Sequence, residues 1–170
     1  VVTFENVDTA LAPAQVVRVN LTLDPTKFDV KRTTLGDVTI GENTYFFEAD
    51  RQTYFRDIDL RPANNVIVRV NANVDSASGE MEWIFTSLDP ATMDILTDPL
   101  GGFLPPNVTF PEGEGSVSFT TFMRKNTSQA DTLRCFAEIY FDQNEPILTG
   151  TWSNLIDQTA PSTAINPLVT

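Results

Sequence analysis

The chain has 170 residues, enough for one well-buried core and short for two. Its 11 basic and 23 acidic residues leave a net charge of −12, and such a surface repels nucleic acid and anionic membrane, both of which require basic patches. There is no histidine and the single cysteine is Cys135, which removes Ser-His-Asp and Cys-His catalysis, the usual zinc sites and an internal disulfide.

Apolar residues make up 41% of the chain, so a globular fold is expected. No apolar run approaches the roughly 20 residues needed to cross a bilayer, and no basic start precedes an apolar stretch. The expectation is a chain soluble as given, without membrane insertion, whose signal peptide is either absent or already removed. The acidity suits an extracellular setting and leaves divalent cations as candidate partners.

Read from the start, Val1–Val7 is a short candidate strand. Gln15–Leu23 alternates more clearly, with Val17, Val19, Leu21 and Leu23 on one face and Arg18, Asn20 and Thr22 on the other. Val38–Ile40 and Thr44–Phe47 are shorter candidates. Phe46 and Phe47 are adjacent, so one of them should point away from the core. Arg51–Asn65 reads as a long connection that turns through Arg61-Pro62-Ala63-Asn64-Asn65. Val66–Val74 places Val66, Val68, Val70, Ala72 and Val74 inward and Arg69, Asn71 and Asn73 outward. A hairpin turn at 75–80, with Gly79 free to take positive φ, leads into Glu80–Leu88, where Trp83 alternates with Met81 and Phe85 as a core residue.

Residues 89–115 carry five prolines and four glycines and form the longest loop, expected to pack over an edge or end. Ser116–Met123 and Thr132–Phe141 alternate again. In the latter, Leu133, Cys135, Ala137, Ile139 and Phe141 share a face, which makes Cys135 a buried, inert thiol. Ile147–Trp152 is the last candidate strand, with Trp152 partly exposed. About eight or nine strands, each sealed on one side, predict an all-β antiparallel sandwich of Ig-like architecture. Its centre should comprise Val17, Val19, Leu21, Val68, Val70, Trp83, Phe85, Val117, Phe119, Ile139 and Phe141. The predicted organisation is one domain over 1–160, followed by an exit linker at 161–170.

Three kinds of site are conceivable. Calcium takes six to eight oxygen ligands and tolerates irregular loops. Glu5-Asn6 with Asp8, Asp142 with Asn144 and Glu145, and Asp157 supply such oxygens, although the same residues also cap turns through their own backbone. A hydrolytic carboxylate pair has candidates in Asp89, Asp94, Asp98, Glu112 and Glu114. Aromatic side chains offer a sugar platform, against which stands ordinary packing. The Asp-Pro pairs at 24–25, 89–90 and 98–99 read as turn devices. Sequons stand at Asn20, Asn107 and Asn126.

Several stretches together carry a resemblance: FEN at 4–6, LAPAQVVRV at 11–19, TSLDPAT at 86–92, DPLGGFLPPN at 98–107, GEGSVSFT at 113–120, and AEIYFDQNEPILT with NLIDQTAPS downstream. The most specific part is I-x-F-D-x-N-x-P-I-x-T followed by N-x-x-D-x-x-A-P. Its residues here are Ile139, Phe141, Asp142, Asn144, Pro146, Ile147 and Thr149, then Asn154, Asp157, Ala160 and Pro161. The chain resembles a β-sandwich module of very large, secreted or surface-attached, multi-modular bacterial proteins. It departs from that module at Met93, where a turn glycine is usual, and at Cys135-Phe136. The resemblance implies an extracellular structural or adhesive module without enzymatic activity, whose partners are neighbouring modules of the same polypeptide and a glycan or protein ligand. The alternatives are a calcium-dependent or glycan-binding adhesin module and, third, a carboxylate-pair hydrolase.

Overall fold

Residues with period-two alternation form strands because successive side chains project to opposite faces. The computed structural model describes residues 1–48, 50–128 and 131–157, among which twelve strands occur. They are β1 (Val2–Glu5), β2 (Val16–Thr22), β3 (Thr34–Ile40), β4 (Asn43–Tyr45), β5 (Thr53–Asp59), β6 (Ile67–Val74), β7 (Glu80–Leu88), β8 (Glu114–Thr120), β9 (Thr132–Cys135), β10 (Ala137–Phe141), β11 (Ile147–Leu148) and β12 (Trp152–Leu155). One sheet has the order β1-β8-β3-β4 and a second the order β11-β10-β2-β7-β6-β5, while β12 pairs with β9 alone. Neighbouring strands are antiparallel throughout.

The two larger sheets face one another as a sandwich, so the all-β antiparallel expectation is met. Trp83 and Phe85 on β7 are fully buried, and they reach across to Phe119 at 6.1 Å and to Phe4 at 5.5 Å between ring centroids. The expected centre is buried apart from Phe119 and Phe141, which are partly covered and pack against its rim. Gly115 on β8 stands opposite Phe4, whose ring occupies the space that a Cβ would need.

Several boundaries differ from the sequence expectation. Arg51–Asn65 is not simply a connection, because β5 lies within it and forms an edge of the six-stranded sheet. Tyr54 and Ile58 point inward, but Arg56 shares their face and breaks the apolar run. Its guanidinium donates to the Phe46 carbonyl at 3.0 Å and lies over Phe47, which stacks on Tyr54 at 3.9 Å. Charge on an edge strand discourages pairing with other chains, and here it also hides the strand from pattern reading. Phe46 is the exposed member of the pair Phe46–Phe47.

Thr132–Phe141 is not one strand. It breaks at Phe136 into β9 and β10, which pair with different partners, and Ile147–Trp152 divides likewise between β11 and β12. Cys135 is consequently only partly buried, though that burial still raises its thiol pKa. The 89–115 stretch is not wholly loop either, since β8 begins at Glu114. Phe103 and Leu104 from this stretch are fully buried, with Phe103 stacked on Phe85 at 5.6 Å, so the segment closes one end of the sandwich. Asp24, Asp89 and Asp98 each accept the backbone N–H of the residue after the following proline, as a turn device should. Gly79 takes φ +84 in the 75–80 hairpin, and Met93 takes φ +62, the left-handed region that favours glycine. The predicted exit linker lies outside the described residues.

Tyr54 and Trp83 flank the small Ala72 on the inner face, and neither the Tyr54 hydroxyl nor Trp83 Nε1 satisfies hydrogen-bond geometry. Burial raises the Tyr54 pKa far above its ordinary value; the nearby indole N–H opposes this and the Asp37 carboxylate adds to it. The unfolded phenol titrates near pH 10, so this stability is complete below about pH 10 and is lost as pH rises beyond it. Tyr54→Phe is expected to keep stability at neutral pH within about 1 kcal/mol and to flatten the alkaline loss. Thermal unfolding of both proteins across that range checks it, and a large loss at neutral pH would contradict it.

Candidate functional site

The residues proposed for calcium divide between the two ends of the molecule. Glu5 ends β1, Asp8 lies in the turn beyond it, and Asp142 and Asn144 follow β10. These two turns share the end capped by Phe103 and Leu104, because Phe4 and Phe141 are 6.5 Å apart. Asp157 follows β12, where the Ile156 N–H bonds to the Asp131 carbonyl beside the start of β9. That is the opposite end, since Lys27, just after β2, reaches the Thr132 carbonyl.

In the first group one oxygen each of Asp142 and Glu5 accepts from protein donors, and the Asn6 amide is spent on two carbonyls. Asp142 takes φ +53, and its Oδ1 accepts the N–H groups of Gln15 at 3.0 Å and Val16 at 2.8 Å, clamping the start of β2. Asn6 donates both Nδ2 hydrogens, to the Ala12 and Leu104 carbonyls, at 3.1 and 3.0 Å. Glu5 accepts from Asn107 Nδ2 at 2.8 Å. Asn144 and Asp8 are exposed. Among the described residues, no three His, Cys, Asp or Glu side chains gather so as to hold a metal ion.

A different site stands on the outer face of the six-stranded sheet. Because Val19, Leu21, Met81, Trp83, Ala72 and Ile139 turn inward, the residues between them turn outward. The register pairs Glu138 with Asn20, Asn20 with Glu82, and Glu82 with Asn73. One row thus crosses β10, β2, β7 and β6 as carboxylate, amide, carboxylate, amide. With strands about 4.8 Å apart it spans roughly 14 Å. Thr53 on β5 continues it by donating to Asn73 Oδ1 at 3.0 Å.

This row floors a cleft of about 500 Å³. Thr22 and Glu80, themselves a register pair, line it further along, and the 75–80 hairpin closes one side. Within that hairpin Asp75 accepts from Ala77 N–H and Ser78 Oγ, bonds that hold its carboxyl below the usual carboxylate range. Phe136, half exposed at the β9–β10 break, forms a wall. Beyond Phe136 an apolar groove of about 350 Å³ opens between the sheets, over Leu23, Phe28 and Phe119, with Trp152 at its rim.

A second row flanks the first on the same face. Tyr140 pairs with Arg18 in register, two residues along from Glu138 and Asn20. The Tyr140 hydroxyl donates to Glu138 Oε2 at 2.8 Å, which raises its own pKa, and Arg18 Nε lies 3.6 Å from Glu82 Oε1. Glu138 is therefore oriented without a ligand, and Glu82 has a counter-charge beside it. Asn20 Oδ1, between them, is shielded from solvent and accepts no hydrogen bond. Sequence alternation had turned Asn20, Thr22 and Asn73 outward; the register that aligns them with Glu82 and Glu138 was the missing information.

The fold and the cleft together define an all-β sandwich with a polar concavity on an open sheet face. Searches among protein-family models, curated proteins and solved structures found no match to the chain.

Three measurements follow from the turn chemistry. Asn6→Ala strands the Leu104 and Ala12 carbonyls and is expected to cost about 1–3 kcal/mol. It should also speed hydrogen exchange at Asn107 and Gly113, and unchanged exchange there would show that Asn6 does not pin the segment. Asp142→Ala should cost about 1–3 kcal/mol, whereas Asp142→Asn, which keeps the acceptor and tolerates positive φ, should cost under about 1 kcal/mol. Melting in EDTA and in millimolar calcium is expected to coincide. A calcium-dependent rise that Asp142→Asn removes would instead place an ion at this turn.

Proposed function

We propose that the chain is a non-catalytic interaction module of a larger secreted or cell-surface bacterial protein. The observation that carries this reading is how the polar residues of the recognisable sequence pattern spend their hydrogen bonds. Asp142 clamps β2 and Asn6 pins the capping segment. Thr149 Oγ1 accepts the Ala137 N–H at 2.9 Å where β10 begins, and its own N–H returns to the Ala137 carbonyl. A pattern whose polar side chains hold backbone specifies a scaffold and leaves the sheet face to vary.

The loop carboxylates weigh in the same direction. Asp89 and Asp98, candidates for a hydrolytic pair, each cap their own turn. The outer sheet face, by contrast, carries a shaped and pre-oriented cleft on rigid strands, which suits recognition. Extracellular placement is supported by the strong negative charge and by the resemblance to modules of surface-attached bacterial proteins.

The test is turnover. The domain is expected to release no product from a panel of polysaccharides and peptides. Hydrolysis that is lost in Glu82→Gln or Glu138→Gln, with unfolding unchanged, would overturn the reading.

A further inference from the structure

We infer that the cleft on the six-stranded sheet binds a neutral polyhydroxylated ligand, a short stretch of uncharged oligosaccharide lying across β10, β2, β7 and β6. The inference rests on the reading of the chain as an interaction module and names the ligand class of its sheet face.

Hydrogen-bond chemistry selects the class. Carboxylates only accept, whereas amides donate and accept. The row Glu138, Asn20, Glu82, Asn73 therefore alternates pure acceptors with mixed groups across roughly 14 Å. Sugar hydroxyls, which both donate and accept, match such a row along its length. Asn20 Oδ1 supplies a second indication: it is shielded and unpartnered, with the side chains of Glu138 and Glu82 as its cross-strand neighbours. The amide as a whole lies within the cleft floor, where its missing hydrogen bond leaves capacity that a ligand hydroxyl can use.

Charge narrows the class. The cleft is lined by Asp75, Glu80, Glu82 and Glu138 and by no basic residue, so sulfated, phosphorylated and uronic-acid chains are repelled. A lysine or arginine side chain would satisfy the carboxylates but would leave the amides without use. Phe136, half exposed in the cleft wall, contributes an aromatic ring, the kind of surface on which the apolar face of a pyranose stacks. Tyr140 already holds Glu138, which lowers the ordering cost of binding there.

The experiment titrates the protein with cello-, xylo-, laminari-, malto- and chito-oligosaccharides up to millimolar concentration, by calorimetry. At least one is expected to bind, with an affinity insensitive to sodium chloride because the ligand is uncharged. Asn73→Ala and Phe136→Ala, both at exposed positions, should each weaken it about tenfold or more without shifting Tm, because buried polar partners are left unpaired or a stacking face is lost. Phe46→Ala, outside the cleft, should leave it unchanged. Silence across the whole panel overturns the inference, as does binding indifferent to both cleft substitutions. Salt-sensitive binding of an oligolysine peptide, in preference to every saccharide, overturns it too. These failures leave the non-catalytic reading standing, while turnover that Glu82→Gln abolishes would end that reading even if Asn73→Ala still weakened saccharide binding.

Discussion

The inward projection of Trp83 and Phe85 from β7 is the constraint on which the rest of the molecule depends. These two rings fill the space between the sheets, touching Phe119, Phe4 and Phe103 from three other parts of the chain. A side-chain period of two means that a one-residue slip of β7 would bury Glu82 and expose Trp83. The hydrophobic penalty for exposing a residue of that size favours the observed register over a one-residue slip. The outward alignment of Glu82 with Asn20 and Asn73 is the other face of the same fact. Core and cleft are one decision, made once by the packing of β7 and inherited by β2, β6 and β10 through their hydrogen bonds.

The ends of the sandwich need a different kind of closure, because strands leave unpaired backbone and an open apolar gap where they stop. At the end where β1, β7 and β10 terminate, Phe103 and Leu104 plug the gap, and the hydroxyl of buried Ser87 accepts the Phe103 N–H at 3.0 Å. Asn6, just after β1, then donates to the Leu104 carbonyl, and Asn107 donates to Glu5 at the end of β1, so two side-chain hydrogen bonds join the plug to that strand. Small polar side chains at strand ends are thus structural parts, and their abundance in the turns follows from the amount of backbone to be satisfied.

This division explains which features were legible in the sequence. Strands with unbroken inward alternation, such as Val17-Val19-Leu21 and Val68-Val70-Ala72, announced themselves, and so did the Asp-Pro turns and the 75–80 hairpin. β5 did not, because Arg56 occupies an inward position at a sheet edge, where its charged end escapes to solvent over Phe47. The break at Phe136 was equally invisible: alternation persists through it, and only the change of partner strand, from β12 to β2, reveals the boundary. Asp142 and Asn6 were legible as oxygen-bearing turn residues, but whether those oxygens face an ion or a backbone N–H depends on contacts 98 to 127 residues away in sequence. The cleft needed cross-strand register, a property of pairs of strands that no single segment encodes.

The two tryptophans report on the two halves of this design separately. Trp83 is wholly buried, with an indole N–H that lacks a hydrogen-bond partner, while Trp152 is half exposed at the rim of the apolar groove on the far side of Phe136. Their fluorescence therefore comes from distinct surroundings: a blue-shifted emitter closed to acrylamide and a red-shifted one open to it. Loss of the blue component follows disassembly of the sheets, and a change in the quenchable component follows events at the Phe136 wall. The native chain is its own two-colour probe, with no label required.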